Sequence, residues 1–298
     1  MTSMTRRQFS ALAAAALSPL AGWGQGKEAA LLTRAIPSSG ERLPAVGLGT
    51  AVVFNNDDAK IRETAAQILR TLLDKGGTLV DTASTYGDAE LVLGQAMPAA
   101  ASREKFFVAT KLESPDASEL ERSLTRLATR RIDLLQLHNV RDPGQSLAQF
   151  RTWKTQGVCR YVGITSTSER AYGAVESVLR REKPDFVQID YSLDNREVEE
   201  RILPLAAEVR AGVLTALPFG RGRLFRAVRG KSLPDWSTDF ADSWAQFFLK
   251  YLLGDERVTA VIPGTSDPAH MADNLGAMRG RLPGAAERKR MVEFVRNL

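Results

Sequence analysis

Strand-like and helical patterns alternate through most of this 298-residue chain, and that alternation narrows its fold more than any other feature. Apolar runs rich in β-formers occur at TLVDTA (78–83), FFVATKL (106–112), IDLLQLHN (132–139), YVGITS (161–166), FVQIDYS (186–192), GVLTALP (212–218) and VTAVIPG (258–264). Between them, apolar residues recur at helical spacing. Ile61, Ala65, Ile68, Leu69 and Leu72 do so in 58–74, and Leu120, Leu124 and Leu127 in 118–129, where Ser118 is the expected N-cap. Segments 88–96, 145–154, 169–180, 197–209, 240–253 and 268–278 supply the other helices. With a further run at 45–49, the strand–helix unit repeats about eight times, which demands a parallel sheet. The runs are apolar on both faces, as in strands covered on both sides.

Eight such units in about 270 residues have the size of a single-domain (β/α)8, or TIM, barrel. A doubly wound open sheet is the alternative. It calls for a glycine-rich phosphate loop after a strand, and neither G-x-G-x-x-G nor a Walker A sequence occurs. Ahead of the repeat, two short strands flank Ser38-Ser39-Gly40, a hairpin expected to cap the barrel bottom. The longest irregular stretch is 219–238, between the seventh strand and its helix, and such loops often carry function.

The first 26 residues do not belong to this pattern. A charged start, the apolar run Ala11 to Leu17 and then small residues have the layout of an export signal, and the run is too short to span a membrane. TRRQFS (Thr5 to Ser10) resembles the twin-arginine (Tat) motif. The expectation is therefore a leader over 1–26, cleaved between about Gly22 and Ala30, and a barrel domain over 27–298. The Tat machinery becomes an expected partner, and the expected location is the periplasm, or the cytoplasm if the signal is not used. No stable membrane span remains after cleavage.

Composition excludes several other classes. Forty Lys and Arg stand against 35 Asp and Glu, a net +5 that includes Arg6 and Arg7 of the leader. That excess is too small to imply nucleic acid. The densest basic run, RGRLFRAVRGK (221–231), reads as a solvated or anion-facing loop. Cys159 is the only cysteine, so no intrachain disulfide forms. His138 and His270 lack metal-ligand spacing, and no metal is expected.

In barrels of this kind the chemistry lies at the C-terminal ends of the strands. There the second strand ends in Asp81, with Tyr86 a few residues on. The third ends in Lys111 and the fourth in His138. Taken singly, each has an ordinary reading as a turn acid, a surface tyrosine, an exposed lysine or a strand-end histidine. Barrel geometry brings all four to one rim.

VGLGT, DTASTYGDAELVLG, FVATK, SLTRLATRRIDLLQLHN, RYVGITS, VQIDYS and VIPGTSDPAHMADNLGA resemble, in order from Ala45 to Ala277, the aldo-keto reductase family. The resemblance implies a barrel that reduces aldehydes or ketones with a nicotinamide cofactor, NADP(H) ahead of NAD(H), and a monomer. It implies Asp81, Tyr86, Lys111 and His138 as the catalytic set. A free phenol has a pKa near ~10, so Lys111 is expected to lower that of Tyr86 toward the working range, with Asp81 holding Lys111. A neutral His138 is expected to donate to the carbonyl oxygen.

The resemblance also implies cofactor contacts. Thr165, Ser166 and Gln188 fall at the nicotinamide carboxamide, and Thr50 joins them. Leu217, Phe219, Arg221 and Arg223 fall in the loop over the pyrophosphate. Gly264, Thr265, His270 and Asn274 fall around the adenosine 2′-phosphate. The chain departs from the family at Ser166 (usually Asn), at Ala216 (often an aromatic) and at Gly264 and His270 (usually Lys and Arg). Phe54, Asn55, Trp153, and the 219–238 loop with Trp236 are candidate pocket walls. Two other readings stand beside reduction of a carbonyl or oxidation of an alcohol. One is a silent cofactor-binding or regulatory barrel. The other is an exported enzyme cycling two substrates on one tightly bound nicotinamide.

Overall fold

The computed structural model describes residues 30–298, so the leader read over 1–26 lies outside the described residues. Strands β1 (Thr33–Ala35) and β2 (Arg42–Pro44) form an antiparallel hairpin. Eight parallel strands follow: β3 (Leu48–Gly49), β4 (Leu79–Asp81), β5 (Phe107–Leu112), β6 (Ile132–Leu137), β7 (Cys159–Ser166), β8 (Phe186–Asp190), β9 (Gly212–Ala216) and β10 (Ala260–Val261). Each pairs with the next in chain order. Parallel bridges Val46–Val261 and Gly49–Gly264 join the last strand to the first. At that seam Gly47 N donates to Val261 O at 2.8 Å and Val261 N to Ala45 O at 2.9 Å. The sheet therefore closes into the (β/α)8 barrel, and the open-sheet alternative falls.

The helices are α1 (Ala59–Asp74), α2 (Ala89–Ala100), α3 (Ala117–Arg126), α4 (Ala148–Thr155), α5 (Tyr172–Glu182), α6 (Val198–Val209), α7 (Arg223–Ala227), α8 (Trp244–Leu253), α9 (Pro268–Gly276) and α10 (Ala285–Arg296). Two differ from the sequence reading. The stretch 219–238 holds the short α7, and α10 extends the chain's helical cover beyond 278. The N-cap of α3 is Asp116 rather than Ser118, because the Asp116 carboxylate accepts from Ser118 N at 2.8 Å. Such a cap is worth about 1 kcal/mol. No helix among the described residues is long and apolar enough to cross a membrane.

The alternation of side chains along each strand sorts the interior. Val80, Val108 and Leu135 pack outward against the helices. Leu79, Phe107, Ala109, Leu134, Tyr161, Phe186 and Leu214 fill the barrel, joined by Ile36 and Leu43 of the hairpin. Tyr161 lies near the start of β7, and its hydroxyl donates to Glu41 at 2.6 Å. The hairpin thus plugs the N-terminal end. The inward parity continues to the other end, where it presents Asp81, Lys111, Gln136, Thr165 and Gln188. An apolar, plugged bottom leaves the polar C-terminal end as the place for chemistry.

Candidate active site

Lys111 is 1 % exposed inside the barrel mouth. Its ammonium donates to Asp81 Oδ2 at 2.7 Å and to Thr82 O at 2.7 Å. Gln188 Nε2 reaches the same Asp81 oxygen at 3.3 Å, and Gln136 Nε2 donates to Gln188 Oε1 at 2.9 Å. Thr50 Oγ1 donates to Asp81 O at 3.0 Å. Four strands, β4, β5, β6 and β8, and the loop after β3 thus contribute to one hydrogen-bonded floor. A buried charge needs such company, since an unpaired one costs several kcal/mol.

Tyr86 sits above this floor on the loop after β4. Gly87 has φ +56, and a Cβ there would lie 2.5 Å from Asn55 O, so only glycine fits. Asp88 N donates to Asn55 O at 3.2 Å, and Arg126 of α3 reaches Gly87 O and Asp88. Glu119 of α3 accepts from Ser84 Oγ at 2.6 Å and from Glu113 N at 3.0 Å. The loop is pinned on both sides. Its tyrosine ring has Lys111 Nζ 5.0 Å from its centroid and the His138 ring at 5.8 Å, edge-on.

His138 continues the β5–β6 ladder, its N donating to Leu112 O at 2.8 Å. Its Nδ1 meets the Glu113 carboxylate and lies 3.5 Å from Thr85 Oγ1. Burial pushes its pKa down and Lys111 adds to this, against Glu113 and Asp81. A neutral imidazole is favoured, while its expected donation to the carbonyl oxygen depends on which ring nitrogen holds the proton. Tyr86 goes the other way from that reading. Burial raises its pKa; the nearby Lys111 opposes this but does not overcome it, because Asp81 adds negative charge beside the ring. The phenol keeps its proton.

A cavity of about 460 Å³ opens over these groups. It is lined by Thr50, Asp81, Tyr86, Lys111, His138, Thr165, Gln188, Leu217, Phe219, Arg221 and Gly264, with Ala216 among them. Other expected contacts lie outside it. Ser166 turns to its own chain, accepting from Ser168 N at 3.3 Å. Thr265 likewise accepts from Asp267 N at 3.1 Å. Asn274 is buried within α9, and the His270 side chain is 74 % exposed, 4.0 Å from Asp267. Arg223 is committed to Asp194 at 2.8 Å, whereas Arg221 lines the cavity with no side-chain partner among the described residues.

The expected pocket walls also divide. Phe54 and Trp153 are core residues, 1 % and 5 % exposed. Trp236 packs on Phe247 and Phe294. Of the 219–238 loop, Phe219 does line the cavity, braced by Phe225 at 4.7 Å between centroids, and Ala51, Val52, Asn139 and Thr167 line it as well. Small residues in loops carry no sequence signal of this kind. Glu113 did carry one: it lies two residues beyond Lys111 on the same strand parity.

The chain matches the profile of the Aldo/keto reductase family over residues 45–286. It is 28 % identical over 255 residues to Methylglyoxal reductase YeaE of Escherichia coli (strain K12), spanning 82 % of this chain and 88 % of that one. In fold it is similar to an aldo-keto reductase from Klebsiella pneumoniae crystallised with NADPH, with TM-score 0.74, 22 % identity, and 89 % of this chain and 96 % of that one covered. The glycerol dehydrogenase AKR11B4 from Gluconobacter oxydans gives TM-score 0.73 at 21 % identity, covering 88 % and 94 %.

Proposed function

The chain belongs to the aldo/keto reductase family, and from that premise we propose that it reduces an aldehyde or ketone to the alcohol with a nicotinamide cofactor. The observation that carries this reading is the convergence of Asp81, Lys111, Tyr86 and His138 on one cavity. When bound, the cofactor supplies a hydride to the carbonyl carbon. Tyr86, which holds its proton, delivers it to the oxygen as charge develops there. Lys111, fixed by Asp81, places positive charge beside that oxygen. His138, whose ring lies 5.8 Å from that of Tyr86 on the same cavity, hydrogen-bonds the same oxygen.

The residues suit a dinucleotide. Arg221 lines the cavity with no hydrogen-bond or ion-pair partner among the described residues, so a phosphate there can take a charge-assisted bond. Gly264 lines the same cavity. Ala216 and the braced Phe219 offer an apolar wall for the nicotinamide. We propose NADP(H) over NAD(H), in line with the NADPH-bound Klebsiella protein of similar fold. A panel of aldehydes and ketones assayed with each cofactor tests both points. Absence of turnover with every carbonyl would overturn the reductase reading, and tighter binding of NADH the cofactor preference.

Residues 1–26 are proposed to be a twin-arginine leader, with 27–298 acting as a monomeric domain in the periplasm. TRRQFS and the apolar run Ala11 to Leu17 support this. N-terminal sequencing of the periplasmic fraction is the test. An uncleaved chain confined to the cytoplasm would refute it.

A further inference from the structure

Glu113 extends the inward parity of Phe107, Ala109 and Lys111 past the end of β5. Its backbone is anchored by Glu119 at 3.0 Å, and its carboxylate meets Nδ1 of His138. The other ring nitrogen, Nε2, has no partner among the described residues, and the ring lines the cavity. The groups facing this imidazole are Glu113, Thr85 at 3.5 Å, Tyr86 edge-on, and Lys111 with Asp81 from the floor.

An ionised carboxylate only accepts hydrogen bonds, so it draws the proton to Nδ1. A neutral imidazole in that tautomer has a bare Nε2 in the cavity. Bare Nε2 accepts from an alcohol O–H and cannot donate to a carbonyl. It donates only when the ring carries a second proton, and Glu113 is then its counterion.

We propose that Glu113 is a positioning residue that fixes His138 as the Nδ1–H tautomer, so that in carbonyl reduction only the imidazolium hydrogen-bonds the carbonyl oxygen, while the proton that this oxygen receives comes from Tyr86. This rests on the reductase reading for its kinetic consequence, though not for the tautomer itself. Reduction should then fall about tenfold per pH unit above the His138 transition. Glu113→Gln removes the charge and lets the amide N–H donate to Nδ1. The neutral ring then carries its proton on Nε2, and the alkaline fall in reduction should flatten. Glu113→Asp should restore part of the fall.

The tautomer can be read without any turnover. The chain has two histidines, so NMR of the imidazole nitrogens in the full chain, with His270→Gln for assignment, reports His138 alone. The expected result is an Nδ1-protonated ring in the wild type and an Nε2-protonated ring in Glu113→Gln. The same tautomer in both, or an unchanged pH profile for reduction in a folded Glu113→Gln, would overturn the proposal. Wild-type protein that shows the Nδ1–H ring but reduces no carbonyl would instead sink the reductase reading and leave the tautomer assignment standing.

Discussion

Lys111 and Asp81 stand at the mouths of two strands one apart in the barrel, joined at 2.7 Å, with side chains 1 % and 3 % exposed. Neither charge has water to fall back on. Loss of one partner leaves the other buried and uncompensated, at a cost of about 3–5 kcal/mol. Asp81→Asn and Lys111→Met should each lose about that much in urea unfolding. The double variant should recover much of it while remaining inactive, because the pair is neutral to stability when removed together but not to chemistry.

Tyr86→Phe separates the proton from the position. The ring keeps its contacts with Lys111 and His138, and only the hydroxyl goes. Turnover of a carbonyl should fall by about 10²–10⁴, with cofactor affinity near that of the wild type by fluorescence titration. Burial raises the phenol pKa from 10.0. Any loss of reduction caused by deprotonation of Tyr86 should therefore lie above that pH.

The fold was legible because each buried strand announces itself by an apolar run and each helix by its period. The four residues of the candidate set were legible as polar endings of such runs, and strand parity explains why Asp81, Lys111 and His138 meet. The state of Tyr86 was not legible. Its pKa depends on how deeply the ring is buried and on the distances to two opposite charges, and sequence fixes neither. Ser166, Thr265 and Arg223 stand outside the cavity lining for a related reason. Each has a suitable side chain at a suitable position, but a near neighbour in the chain or an adjacent carboxylate takes it first. Phe54 and Trp153 were plausible walls by type and turned out to be core.

Gly87 is required by contact as well as by backbone. Its Cβ would press on the Asn55 carbonyl at 2.5 Å, whereas Gly157, at φ +78, has nothing within 4 Å. Gly157→Ala should cost only the left-handed backbone penalty, about 1–2 kcal/mol. Gly87→Ala should cost more in thermal or urea unfolding and should also lower turnover, because the displaced loop carries Tyr86. Equal stability losses for the two variants would argue that the Asn55 contact relaxes freely.

Arg221 and Arg223 differ only in commitment. Arg223 is tied to Asp194, whereas Arg221 lines the cavity and has no hydrogen-bond or ion-pair partner among the described residues. A hydrogen bond to a charged group is worth about 1.5–3 kcal/mol. Arg221→Ala should weaken the cofactor about 10- to 100-fold in titration. Arg223→Ala should have a smaller effect, transmitted through the freed Asp194.

Asp190 ends β8 one inward position above Gln188, and its Oδ1 is buried without a hydrogen-bond partner among the described residues. Burial pushes its pKa up to about 6 from 3.8. Arg221 and Arg223 pull it down only in part, and Asp194 and Glu169 push with the burial. Between these two values the folded chain holds a proton that the unfolded chain has released. Stability from this group is therefore present in full below about pH 4 and is lost as pH rises through about 6. Asp190→Asn keeps the shape and removes the titration. Its unfolding free energy should match the wild type near pH 4 and exceed it at pH 7. A variant less stable than the wild type at pH 7 would mean that the ionised carboxylate is held by the arginines after all.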